Sequence, residues 1–465
     1  MFSSKNNLFL TIIFCSLTTF CTAQIKSLNG KEILPTAIDA FLKKEMAAGS
    51  IPGLSIAIIN NGKVVYSREM GLADIEQQTK VTPQTLFEAA SLTKSVFAYY
   101  VLRQVEKGLI ALDTPLYKYM PYPDIAYDER YKLITARMAL SHTTGFPNWR
   151  DDVVPDSLST KVKKGSLYLN FRPGTQVSYS GEGFQYLAKT IAHLLNTNLR
   201  GLGEIMNKEV CTSLGMTNST LIRNNYVNQF KASGYLRNDD GSNWKGDFET
   251  FDELNAAASL RSNAPEFAKF MIALINNKGL KKQSMNEMFK DQAYDNPPSH
   301  TAAKGLGVFI HHTSAGDRIS HNGNNQIFNA DYIMYPDKKS GFVIFINNNM
   351  EEHIMQHLEY FFKHGQEYPV KDADIPIDVN SYVGEYRSSD PTTPNFVLLT
   401  EKGKLFVYVK NNSQRKYELH PAAKDDFFLN EVIAKLVFIR DKNGMIIGFE
   451  KEQQSFYNEK FRKID

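Results

Sequence analysis

The stretch "IPGLSIAIINNGKVVYSREMG", residues 51–71, constrains the fold of this chain most strongly. Two β-rich runs flank Asn60-Asn61-Gly62, a tripeptide that supplies the positive φ angles of a tight hairpin turn. The next strand-like runs come only after a long helical middle. They are "GLGVFIHH", "DRISHNG", "IFNADYIMYP" and "SGFVIFINNN", short segments separated by turns, and they read as consecutive antiparallel strands. Between the two sets, Ala98, Val101, Leu102, Val105 and Leu109 follow helical spacing, with Gly108 as the C-cap. Phe184, Leu187, Ala188, Ile191 and Leu194 mark a second helix. A third opens at Asn263 with Pro265 in its first turn and Glu266 completing a capping box. "EEHIMQHLEYFFKHG" reads as a closing helix. This order predicts an α+β fold in which the first and last parts share one antiparallel sheet and helices cover it.

The character changes at "QEYPVKDADIPIDVN", which is polar, holds two prolines and reads as a linker over 367–380. Residues 381–465 are strand-like throughout and predict a small all-β barrel or sandwich. Its aromatics Tyr382, Tyr386, Phe406 and Tyr408 are expected in the core, with a ligand-binding face as the alternative.

Composition bounds the rest. A chain of 465 residues, 42% hydrophobic and 22% charged, has room for two or three domains and a large core. The net charge is only +3 and no basic run stands out, so nucleic-acid binding has no electrostatic footprint. Residues 1–23 carry Lys5, an apolar stretch from Leu8 to Leu17 and small residues ending at Ala23. They read as a secretory signal cleaved before Gln24, with the large domain following over 24–366. A lipid anchor on Cys21 is the alternative, disfavoured by Phe20 where a small residue is expected. The expectation is therefore a periplasmic or secreted protein with no transmembrane segment in its mature chain. Cys211 would be its one cysteine, unable to form an internal disulfide, and reads as a core residue.

Chemistry gathers at "FEAASLTKSV", where Ser91 and Lys94 stand three apart at the opening of a helix. Unpaired N–H groups and the helix dipole favour an alkoxide there. A lysine one turn on can reach the serine Oγ, and it acts as a base once burial or a neighbouring cation makes it neutral. The pair alone is weak evidence, because this spacing recurs by chance. Tyr179 in "FRPGTQVSYS" and His321-Asn322-Gly323 in "ISHNGNN" supply company.

With these segments, and with "VEKGLIALDTPLYKYMP", "TARMALSHTTGFP" and "SLGMTNS" in order, the chain resembles the serine β-lactamase and penicillin-binding superfamily, in particular its class C-like esterases and peptidases. The resemblance runs from about Leu34 to Asn349. It implies a β-lactamase-like domain, with Ser91 as the acylated nucleophile, Lys94 as its base partner and Tyr179 as a proton shuttle. It also implies that His321, Asn322 and Gly323 line the site on a strand. The backbone N–H groups of Ser91 and Asn324 would form the oxyanion hole. No cofactor and no metal is implied.

Two departures from the family pattern bear on substrate. Gly181 stands where a Tyr-x-Asn motif has asparagine, with Glu182 next to it as the candidate to fill the space. His321 stands where a Lys-Thr-Gly motif has a fixed cation. Both changes weaken recognition of a β-lactam. The expectation is an exported serine hydrolase acting on small esters, amides or peptides, cell-wall-derived ones included, ahead of an efficient β-lactamase. The competing expectation is a penicillin-binding-like sensor that acylates slowly or only binds. His353 and His357 have metal-ligand spacing without a third ligand nearby, and His142 is expected to hold a loop rather than to react.

Overall fold

The computed structural model describes residues 24–464 apart from 152–161, 164, 239–240, 247–251, 295–301, 369–374, 389–393, 411–415, 430–432 and 454–456. The proposed signal segment, Cys21 included, lies outside the described residues, as do residues 369–374 of the stretch read as a linker.

The Asn61-Gly62 turn behaves as its sequence dictates. Asn61 has φ +51° and Gly62 φ +69°, and Asn60 pairs with Lys63 across the loop. This closes strands β1 (Gly53–Asn60) and β2 (Lys63–Asp74) into a hairpin. A short β3 (Thr79–Lys80) follows at the edge. The later strands are β4 (Ala302–Lys304), β5 (Phe309–Thr313), β6 (Gly316–Asn324), β7 (Asn329–Tyr335) and β8 (Ser340–Ile346). The eight strands form one sheet in the order β4-β5-β6-β7-β8-β1-β2-β3. The two ends of the domain meet where β8 pairs antiparallel with β1, Ile344 opposite Ile56.

Both faces of this sheet are covered, and the period of two sorts the side chains between them. Ile56, Ile58, Ile333, Phe342 and Ile344 face an outer layer made by α1 (Pro35–Ala48) and α5 (Glu351–His364). Phe41 of α1 stacks on Phe361 of α5, ring centroids 4.6 Å apart. Ala57, Ile59, Tyr332, Met334, Val343 and Phe345 face the larger core built on α2 (Thr93–Glu106), α3 (Gly181–Leu194) and α4 (Ala264–Ile275). The N-cap half of the expected capping box forms, with Asn263 accepting from Glu266 N at 3.1 Å and Pro265 in the first turn, whereas the Glu266 carboxylate accepts from Asn218 N and Lys269 Nζ. Helix α2 ends at Glu106 and Gly108 turns the chain with φ +76°, so Leu109 lies past the helix end, though still against the core.

The C-terminal region is a closed eight-stranded antiparallel barrel, β9 (Gly384–Ser388) to β16 (Tyr457–Lys463). Tyr382 and Tyr386 are in its core. Phe406 and Tyr408 are not, contrary to expectation. On the strand Lys404–Val409 alternation gives the interior to Leu405 and Val407, which turns the two aromatics to the outer face. The barrel sits against α5: Lys363 and His364 reach Glu452 at 2.5 and 3.2 Å. Tyr368, within the stretch read as a linker, donates to Ala434 O at 2.6 Å. No helix among the described residues is long and apolar enough to cross a membrane.

Candidate active site

Ser91 is set by a strained turn rather than by the α-helix itself. Residues Ala90–Leu92 form a 3₁₀ turn, and α2 begins at Thr93. Ala90 has φ +42°, a conformation that costs a non-glycine residue roughly 1–3 kcal/mol and clusters at functional sites. Neighbours hold it there. Thr93 Oγ1 donates to Ala90 O at 2.6 Å, and Leu260 N donates to the same hydroxyl at 2.9 Å. Phe87 and Glu88 pair with Ser262 and Arg261 beneath the turn.

The expected pair is formed. Lys94 Nζ donates to Ser91 Oγ at 3.0 Å and to Ala257 O at 2.9 Å. Lys94 is only 1% exposed, and this burial alone pulls its ammonium down to about 7. The free amine a base must offer is therefore well populated at neutral pH. Tyr179 hydrogen-bonds Ser91, and burial pushes its phenol well above the usual range, so the hydroxyl stays protonated. Ser180 directly after it caps α3, accepting from Gly183 N at 3.0 Å.

Strand β6 supplies the opposite wall, and its alternation decides which residues reach the cavity. Asn322 and Asn324 line it, whereas His321 and Gly323 point inward. At Gly323 a Cβ would stand 2.2 Å from Ala89 O and 3.1 Å from Ser91 N, so only glycine lets the strand run this close under the nucleophile. Gly323→Ala is expected to lower kcat/KM roughly 10²-fold by displacing the turn by a fraction of an ångström to an ångström. It should also destabilise the fold by about 1–3 kcal/mol through overpacking. Steady-state kinetics beside urea unfolding measures both.

His321 corrects the expectation that it lines the site. It is 1% exposed, and its ring stacks on Phe309 at 4.5 Å, leaving Phe309 to form the cavity wall. Burial first, then the Lys94 charge, brings its pKa down to about 3, so it is neutral and presents no cation. Glu182 also differs from expectation. It turns away from the cavity to a two-point pair with Arg150, 2.9 Å on each arm.

The space of the missing asparagine is taken by a residue that motif reading overlooked. A Cβ on Gly181 would meet the Trp149 indole at 2.6–2.8 Å. Asn148 beside it accepts from Gly181 N at 3.0 Å. A tryptophan following "SHTTGFPN" was the available signal. The cavity, about 810 Å³, is otherwise walled by the amides of Asn148, Asn255, Asn325 and Gln326, with Glu88 in its lining. None of the described lining residues comes from the barrel.

His142 holds a loop as expected, accepting from Ser180 N at 3.1 Å. His311 and His312 sit on opposite faces of β5, with His312 between Asp291 and Asp317. Cys211 is buried and free, its thiol pushed up to about 12, in keeping with a core residue.

Comparison with known proteins agrees with this fold. The beta-lactamase family model matches residues 38–360. Protein flp of Staphylococcus aureus (strain COL) is 24% identical over 323 residues, 68% of this chain and 63% of its own length. The chain thus spans less than two thirds of that relative. Penicillin-binding protein 4* of Bacillus subtilis (strain 168) is 22% identical over 88% of this chain and 94% of its own. An octameric penicillin-binding protein homologue from Pyrococcus abyssi shares the fold. Its TM-score is 0.61 at 19% identity, covering 91% of this chain and 99% of that one. With the family model matched over residues 38–360, well over half of its length, the chain belongs to the beta-lactamase family of serine hydrolases.

Proposed function

We propose that this protein is an exported hydrolase that opens ester or amide bonds through an acyl group carried on Ser91. The observation that carries the reading is the 3.0 Å contact between Ser91 Oγ and a Lys94 amine that burial brings down to about 7. In this mechanism Ser91 Oγ attacks the carbonyl carbon and its proton passes to Lys94 Nζ. The backbone N–H groups of Ser91 and Asn324 stabilise the oxyanion. As the carbon–oxygen or carbon–nitrogen bond breaks, the Tyr179 hydroxyl relays a proton to the leaving group. Water then attacks the ester on Ser91 by the reverse proton path, releasing the acid and the free serine.

Substrate class follows from the walls. Among the described lining residues the only cation is Lys94, which the chemistry uses, so no separate charge waits for a substrate carboxylate. Trp149 fills the place where an amide side chain would recognise an acylamido group. Small esters and D-amino-acid peptides, cell-wall-derived ones among them, are therefore ranked ahead of β-lactams. The name of the Bacillus subtilis relative supports a penicillin-binding type of ligand. Export is part of the proposal and rests on the signal-like composition of residues 1–23. A second reading, slow one-shot acylation, draws support from the absence of a charge on His321 to assist deacylation.

Labelling by a fluorophosphonate probe, followed by turnover of p-nitrophenyl esters, D-alanyl peptides and nitrocefin, tests this directly. Labelling with sustained ester turnover is expected, with nitrocefin kcat/KM below roughly 10⁶ M⁻¹s⁻¹. Nitrocefin hydrolysis above that level would reverse the ranking. Labelling without turnover of any of the three would favour the sensor.

A further inference from the structure

The proton-transfer steps above leave His142 unused, yet it is tied to Tyr179 at every turn. Its ring stacks on the Tyr179 ring with centroids 4.3 Å apart and planes 29° apart, and it lies 5.3 Å from Phe184. Lys94 Nζ lies 4.6 Å from the Tyr179 ring and 5.6 Å from the Phe184 ring. The amine thus sits against two aromatic walls, and one imidazole backs both.

The residues on either side of Tyr179 are bonded to the same histidine. Ser178 N donates to His142 O at 2.9 Å, and Ser180 N donates to His142 Nδ1 at 3.1 Å. The second bond fixes the tautomer: Nδ1 offers a lone pair, so the proton of the neutral ring is on Nε2. That Nε2 is buried with no protein partner, an arrangement that costs roughly 1–3 kcal/mol and is rarely kept for stability alone. The backbone of His142 is itself strained, with φ +60°. Burial first, then the Lys94 ammonium on α2 when it is charged, disfavours an imidazolium there.

We propose that His142 is a positioning residue, a ring that holds Tyr179 by one face and by its two flanking amides and keeps water from the Lys94 amine. A serine at 91 needs a base that is both near and dry. Spacing along α2 makes Lys94 near; His142, through Tyr179 and Phe184, helps to make it dry. The inference rests on the hydrolase reading above.

His142→Asn separates this role from simple loop anchoring. Asparagine tolerates the left-handed backbone and can offer Oδ1 to Ser180 N, but it has no ring. With p-nitrophenyl acetate, kcat is expected to fall roughly tenfold or more while KM changes little. The acid limb of kcat/KM, set by Lys94, should move up by about one pH unit as water reaches the amine. His142→Phe, which keeps the ring and loses the acceptor, should lower kcat without moving that limb. An acid limb unmoved in His142→Asn overturns the proposal; should that variant fail to fold, a limb displaced in His142→Phe overturns it equally. Wild-type turnover in Ser91→Ala would instead overturn the hydrolase reading, so the two failures are distinguishable.

Discussion

Ser91→Ala is expected to lower p-nitrophenyl ester turnover by roughly 10⁴-fold or more and to abolish fluorophosphonate labelling, because alanine has no atom that can carry the acyl group. The fold should survive. Ser91 lies in a turn held by Thr93 and Leu260, neither of which uses its hydroxyl. Lys94 Nζ keeps Ala257 O as its acceptor at 2.9 Å, and Tyr179, which loses its Ser91 partner, lines the cavity. Stability should therefore change by no more than about 1 kcal/mol, and thermal unfolding of the two proteins side by side checks this. Undiminished turnover in a folded Ser91→Ala protein would remove Ser91 from the mechanism.

Lys94→Met should reduce acylation roughly 10²–10⁴-fold, the range for losing a positioned general base. Methionine matches the apolar stem and omits the amine. In the parent protein only the neutral amine can take the serine proton, so activity should rise with pH through about 7 and level off above it. The variant should lose that limb. A stability signature accompanies it. The folded-state pKa of about 7 lies below the ordinary lysine value of 10.5, so between these limits the unfolded chain binds more protons. Folding stability contributed by this group therefore rises with pH across that window, and it falls as pH drops toward 7. The slope should vanish in Lys94→Met, which urea midpoints measured at several pH values will reveal. An unchanged acid limb in the variant would assign the base to another group.

Local features proved readable where a few neighbouring residues decide the geometry. The Asn61-Gly62 hairpin, the Asn263 cap and the helix end at Gly108 depend on φ preferences and hydrogen bonds within a turn. The closed barrel was legible as a set of short strands, but the facing of its aromatics was not. Phe406 and Tyr408 have the residue type of a core, while strand register gives the interior to Leu405 and Val407. The same phase error misplaced His321. Motif matching puts it in the site, but β6 turns it behind Phe309, so its neutrality matters through Tyr179 and Lys94 rather than through substrate.

The sequence by itself singled out Ser91 and Lys94 as a pair, because residues three apart at a helix entrance lie close together. It also determined that the lysine and asparagine of the related motifs are absent, with histidine at 321 and glycine at 181. Only the tertiary structure decided what those absences mean. Trp149, far from Gly181 along the chain, occupies the vacated space, and burial alone brings the Lys94 ammonium down to about 7. Desolvation is summed over every group that excludes water, and those groups come from segments that meet only when the sheet closes β8 against β1.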